Sequence, residues 1–153
     1  MRKELILKTV QEIPGVSFNE ICRKTKLRNG VVSHYILQLV KEKKLDKFGD
    51  GRTKYFQPKV PLRDREIIVI LRNTTNREIF RLLMKSATAV TSEQISIKIK
   101  KSRSTVSTSL KTLQKKTLIE RTIMNKKTKL SSDIGFKIKD RDFFEVFVLK
   151  YNI

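Results

Sequence analysis

The feature that most constrains this chain is a residue pattern that occurs twice, 74 positions apart. The first copy runs Val16-Ser17-Phe18-Asn19-Glu20-Ile21, then Leu27-Arg28-Asn29-Gly30-Val31-Val32-Ser33, then Ile36 and Leu39. The second runs Val90-Thr91-Ser92-Glu93-Gln94-Ile95, then Lys101-Ser102-Arg103-Ser104-Thr105-Val106-Ser107, then Leu110 and Leu113. Each copy spells a capped helix, a tight turn and a second helix with apolar residues at helical spacing. A chain of 153 residues that repeats such a unit has room for two small modules in tandem.

Around the repeat, Arg2–Glu12 reads as a helix with Leu5, Ile6, Thr9, Val10 and Ile13 on one face, ended by Pro14-Gly15. Ser17 with Glu20 is a capping box opening a helix whose core stripe is Phe18, Ile21, Cys22 and Thr25. The turn is expected at residues 27–30. The third helix then buries Val32, Ile36, Leu39 and Val40 and turns Val31, Ser33, His34, Leu37 and Gln38 outward. Residues 45–48 and 54–57 flank Asp50-Gly51, a strong hairpin signal, and Pro58 closes the module.

In the second half, the apolar run at residues 66–71 fits a buried helix or a strand equally by periodicity. Thr75 with Glu78, Thr91 with Gln94, and Ser102 are expected to cap three successive helices. Ile79, Leu82 and Leu83 face inward on the first of these, and Val106, Leu110 and Leu113 on the last. Residues 118–124 and 136–138 would be strands around a basic tip at 125–129. At the end, Phe143, Phe144, Val146, Phe147, Val148 and Leu149 leave no polar face. Such a helix needs cover on more than one side, either between the two modules or from a second copy of the chain.

The expected fold is therefore mainly α with small β-wings (α+β), as two tandem winged helix-turn-helix modules. Residues 1–60 form the first module, 61–139 a connector helix and the second module, and 140–153 a C-terminal helix for packing or dimerisation.

Charge points to the partner. The net charge is +20, from 35 Lys and Arg against 15 Asp and Glu. Residues 23–54 hold ten Lys/Arg and three Asp/Glu, and residues 98–129 hold eleven and one. These equivalent windows cover the second helix of each pair and the hairpin after it. Charge of one sign gathered this way departs from an ordinary mixed surface and makes nucleic acid the leading partner. The lone Cys22 and His34 supply no metal-ligand spacing, and no Gly-rich phosphate loop or paired nucleophile is present, so neither an enzyme nor a cofactor is expected. No apolar run reaches the length of a membrane span, and no signal-peptide core follows Met1, so the expected location is cytoplasmic, at the nucleoid.

In a helix-turn-helix the second helix lies in the major groove with its N-terminal residues at base edges. That nominates Arg28, Asn29, Val31, Ser33, His34 and Gln38 in the first module. In the second it nominates Ser102, Arg103, Ser104, Thr105, Ser107, Thr108 and Lys111. Gln38 suits adenine and Arg103 suits guanine O6/N7, whereas His34 suits DNA or a bond within its own helix. On the first hairpin, Arg52 fits the minor groove or a phosphate, and Lys54 lies beside it. Lys126, Lys127 and Lys129 on the second fit phosphates.

The run Asn29-Gly30-Val31-Val32-Ser33-His34-Tyr35-Ile36, with Pro14-Gly15-Val16 before it and Gly51-Arg52-Thr53-Lys54-Tyr55-Phe56 after it, resembles archaeal tandem winged-helix transcription regulators, relatives of the ArsR and MarR superfamily. Arg72-Asn73-Thr74-Thr75 and the run at residues 102–107 carry the likeness into the second half. The resemblance favours helix at residues 66–71. It implies a sequence-specific regulator of transcription that binds double-stranded DNA, with the transcription machinery as a further partner, and the apolar tail at residues 143–151 adds a second copy of the chain as another candidate partner. A sequence-tolerant architectural protein of chromatin and a winged-helix scaffold in a larger complex stand as alternatives. Two departures carry expectations of their own. Leu39 to Leu45 is one residue longer than Leu113 to Leu118, which sets the two hairpins in different frames. Lys101 replaces Leu27, which loosens the second turn.

Overall fold

A computed structural model of the protein describes residues 1–49, 51–124 and 134–153. The described chain is mainly helical with small antiparallel sheets, an α+β arrangement, in two compact units, Met1–Val69 and Ile70–Ile153.

The first unit contains α1 (Arg2–Glu12), β1 (Val16–Ser17), α2 (Phe18–Thr25), α3 (Asn29–Lys41), β2 (Asp46–Phe48), β3 (Lys54–Phe56) and most of α4 (Leu62–Leu71), whose last two residues belong to the second unit. Ile6, Val10, Val16, Ile21, Val32, Ile36, Leu39, Leu45 and Tyr55 form its core, with Cys22, Leu27 and Tyr35 packed against it. β3 lies between β1 and β2, so the hairpin is fastened to the strand that leads into α2. The run at residues 66–71 is helical, within α4.

The second unit repeats this order with α5 (Thr74–Lys85), β4 (Val90–Thr91), α6 (Ser92–Ile99), α7 (Arg103–Lys115), β5 (Ile119–Ile123) and β6 (Ile134–Ile138), and adds α8 (Arg141–Tyr151). Its sheet order, β4-β6-β5, matches β1-β3-β2. The offset of 74 holds at both ends of β1 and β4, of α2 and α6, and of α3 and α7. It holds also for the residues of left-handed backbone that end these helices, Lys26 with Lys100 and Lys43 with Thr117.

That shared geometry corrects the expectation about the hairpins. Lys43 and Thr117 turn the chain at equivalent places, so the partner of Leu45 is Ile119, each 1% exposed, and the hairpins start in one frame. The frame changes later. Val16 faces Tyr55, 39 residues on, whereas Val90 faces Phe136, 46 residues on, which makes the second hairpin seven residues longer. Its basic tip, with Lys126, Lys127 and Lys129, lies outside the described residues.

Other local expectations also shift. Gly30 sits inside α3, and the preceding turn runs through Lys26 to Arg28, the N-cap. Asn73, not Thr75, caps α5: its side chain accepts the Asn76 N–H at 3.0 Å, and the Asn76 amide donates to the Ile70 carbonyl at 3.1 Å. Thr75 already has helical backbone, while a cap needs the extended conformation that Asn73 has. Ser17 accepts the Glu20 N–H at 3.3 Å. At Thr91 both bonds of the capping box form, at 3.2 and 3.0 Å. The second turn is closed by polar bonds. Ser96, in the place of Cys22, donates to the Lys101 carbonyl at 2.5 Å, and the Lys101 N–H bonds to the Ser96 carbonyl at 3.2 Å.

Two arginines fix the ends of elements. Arg65 on α4 is 6% exposed. Its Nε donates to the Val60 carbonyl at 2.9 Å, and one terminal nitrogen reaches Asp46 at 2.9 Å, Pro58 O at 3.2 Å and Gln57 O at 3.4 Å. Arg141 donates to the carbonyls of Leu83, Met84 and Ser86, capping the C-terminal end of α5. Past Arg141, α8 buries Phe144 and Phe147 in its own unit, with Phe144 5.3 Å from the Phe80 ring. Val146 and Leu149 remain 67% and 84% exposed.

Candidate nucleic-acid interface

The sequence of each unit forces one helix to offer its N-terminal end and one flank to solvent. In α3, Val32, Ile36 and Leu39 fill the core, which leaves the other flank outside. In α7, Val106, Leu110 and Leu113 do the same. Helix N-termini carry unpaired N–H groups and a partial positive charge, both suited to phosphate oxygens.

Arg28, Asn29, Ser33 and His34 are exposed at and beyond the start of α3. Val31 is half-buried. Gln38 is half-buried and is bonded to His34, with Gln38 Nε2 3.0 Å from His34 Nε2. Of the two fates expected for His34, the bond within its own helix is therefore formed, and the two side chains act as a pair. Leu37, which helical spacing turns outward on the same flank, is 60% exposed.

α7 has a hydroxyl cluster at its start. Ser102 Oγ accepts the Thr105 N–H at 3.2 Å and lies 2.8 Å from Thr105 Oγ1 and 3.2 Å from Ser104 Oγ. Thr108 Oγ1 donates to the Ser104 carbonyl at 3.0 Å, and Thr112 Oγ1 to the Thr108 carbonyl at 3.2 Å. Thr108 and Thr112 thus keep lone pairs for a ligand but commit their protons to the helix. Arg103, Ser107 and Lys111 are exposed. Arg103 forms an ion pair with Glu93 at 3.1 Å. Both side chains are largely solvated, so the pair is weak and a phosphate can displace it.

On the first hairpin, Arg52 is exposed and Lys54 half-buried on β3. Lys54 sits opposite both Ser17 and Phe48 in the sheet, next to the N-terminus of α2. Each unit thus gathers its outward helix flank and cations from its own elements. Among the described residues, no group of His, Cys, Asp and Glu is placed to hold a metal ion, and no helix is long and apolar enough to cross a membrane.

No curated protein matches the sequence at a significant level. Two solved structures align with 13% identity: a conserved hypothetical protein from Chlorobium tepidum, covering 99% of this chain and 98% of its own with a TM-score of 0.36, and ScpB from Mycobacterium tuberculosis, covering 99% and 95% with a TM-score of 0.37. Likeness of that degree carries no functional argument. The sequence itself is more informative in its first half: residues 1–68 match the model of a family described as an N-terminal HTH domain, so the first unit carries a helix-turn-helix.

Proposed function

We propose that the chain is a sequence-specific regulator of transcription that binds double-stranded DNA through two winged helices in tandem. In this reading α3 and α7 enter the major groove, and the hairpins after them lie on the phosphates or in the minor groove. The chain acts as a binding protein, not as an enzyme, and works by occupying promoter DNA or by meeting the transcription machinery there.

One observation carries the reading. The second unit reproduces α2 and α3 at a constant offset of 74, down to the left-handed residues, and the charge gathers on the windows that hold α3, α7 and the hairpins. A helix-turn-helix family match in the first unit supports the DNA-binding part directly. The family of tandem regulators supplies the rest by resemblance.

The test is selection from a random duplex library at about 150 mM salt, where non-specific binding is weak. An enriched motif is expected. Two half-sites about 10 bp apart would show two readers on one face of the duplex, and their symmetry would separate one chain using both units from two chains. Binding with equal affinity to all duplexes, lost steeply with salt, would replace this reading with the architectural one. Failure to bind duplex DNA even at low salt would leave a scaffold.

A further inference from the structure

The 74-residue offset allows the two outward flanks to be compared position by position, and they differ in kind. Between Asn29 and Val40, α3 has no charged side chain; its only cation is Lys41, in the last turn. α7 has Arg103, Lys111 and Lys115, all exposed. Leu37 of α3 stands where α7 has Lys111, and the His34–Gln38 pair stands where α7 has Thr108 and Thr112.

The chemistry of each flank follows. Thr108 and Thr112 have turned their protons into their own helix, so α7 meets a ligand chiefly through long, mobile cations. Lys111 and Lys115 are point charges, which find phosphates and distinguish bases poorly, and the guanidinium of Arg103, at the start of the helix, is paired with Glu93. On α3, His34 takes one N–H of the Gln38 amide and so fixes its plane. The second N–H and the carbonyl oxygen remain, a donor and an acceptor side by side, the combination that pairs with adenine N6 and N7. Beside it, Leu37 offers an apolar surface 60% exposed on a face otherwise polar. The thymine C5 methyl is the one major-groove feature that apolar contact, and no hydrogen bond, can read.

From these contrasts we infer that the two readers divide the work: α3 selects A·T pairs, with Leu37 against a thymine methyl and Gln38 on an adenine, while α7 anchors the phosphate backbone. His34 acts as a positioning residue for Gln38. The inference rests on the DNA-reading function proposed above and names what its first reader selects.

The test uses the full chain and two random duplex libraries, one with thymine and one with deoxyuridine in its place, which lacks only the methyl. Wild type, Leu37→Ala and Lys111→Ala are selected on both at about 150 mM salt. Wild type should enrich a motif whose A·T positions weaken in the deoxyuridine library. Its affinity should fall about fourfold per contacted methyl, as expected for one buried carbon. Leu37→Ala should bind the two versions of the site equally. Leu37 is mostly exposed, so its truncation leaves the core intact, which circular dichroism will check. Lys111→Ala should keep the motif, weaken all duplexes alike and lower the salt slope by about one. The division of work is overturned if wild type ignores the methyl, if Leu37→Ala keeps the deoxyuridine penalty, or if Lys111→Ala changes the motif. No motif in either library would instead remove the sequence-specific function on which the inference stands.

Discussion

Replacing Arg65 by Met keeps an unbranched apolar side chain and removes every donor of the guanidinium, which makes it a direct probe of what holds the first hairpin. The Val60 carbonyl loses its bond in a buried place, and leaving such an acceptor unsatisfied costs about 1–3 kcal/mol. Pro58 is exposed and Gln57 half-buried, so their carbonyls recover water and add little. Asp46 keeps 39% of its side chain in solvent, so the loss of its ion pair adds at most about 1 kcal/mol. The guanidinium also lies 5.6 Å from the Phe56 ring centroid, worth about 0.5–1 kcal/mol. Together these give about 3 kcal/mol, against a total of about 3–10 kcal/mol expected for a unit of 69 residues. The melting temperature of the first unit should fall by about 12–24 °C. Circular dichroism gives the melt, and thiol labelling supplies a local readout because Cys22, the single cysteine, packs on the core of that unit. Asp46→Asn should cost less than about 1 kcal/mol. An Arg65→Met protein that melts within about 4 °C of wild type would refute the clamp, since that shift corresponds to about 1 kcal/mol or less.

Gly135→Ala should destabilise the second sheet by about 1–3 kcal/mol, since a Cβ there would come within 2.9 Å of the Ala89 Cβ and 2.8 Å of Met124 Sδ; urea titration reads it. Met124 can swing aside, but Ala89 cannot, so a neutral result would mean that the backbone relaxes at little cost. Arg141→Ala should cost about 1–3 kcal/mol by freeing the carbonyls of Leu83 and Met84 in α5 and of Ser86 just after it, and hydrogen exchange should show faster opening at residues 83–86. Burial pushes the Cys22 thiol above its ordinary value of 9.0 and the Tyr55 hydroxyl above 10.0. Both groups hold their protons more tightly folded than unfolded. The stability they lend is full below pH 9.0 and is lost as pH rises through the raised folded values. Denaturation midpoints from about pH 8 to about pH 11 should therefore fall less in Cys22→Ala/Tyr55→Phe than in wild type; equal falls would discount the burial.

Periodicity made the helices legible, because each buries one stripe of Val, Ile and Leu. The repeat showed where the second set lies, and Thr91-Gln94 and Ser102 gave true caps. The turns are hidden in the sequence for a physical reason. Left-handed helix ends are normally marked by Gly or Asn. Here Lys26, Lys43, Lys100 and Thr117 hold that conformation, while Gly30, which looks like a turn residue, lies inside α3. The hairpin frame is hidden in the sequence because Leu45 and Leu118 look equivalent, whereas the strand registers pair Lys47 with Tyr55 and Arg121 with Phe136, which makes Ile119 the counterpart of Leu45. Of the candidate interface, the outward residues of α3 and α7 could be read from spacing. The His34–Gln38 bond and the Arg103–Glu93 pair could not, because they depend on side-chain rotamers. Arg65 and Arg141 were invisible in the sequence. Nothing in a local pattern distinguishes an arginine that gathers carbonyls from one in solvent.

The lysines at the left-handed positions bear on how much heat this chain tolerates. A glycine would hold the same backbone without the steric penalty of about 1–2 kcal/mol that a side chain meets there, offset in part by its greater freedom when unfolded. Lys26, Lys43 and Lys100 instead keep a cation at each turn. The chain thus gives up thermal reserve at three places to retain positive field, and the obvious stabilising substitutions are the ones that would lower that charge.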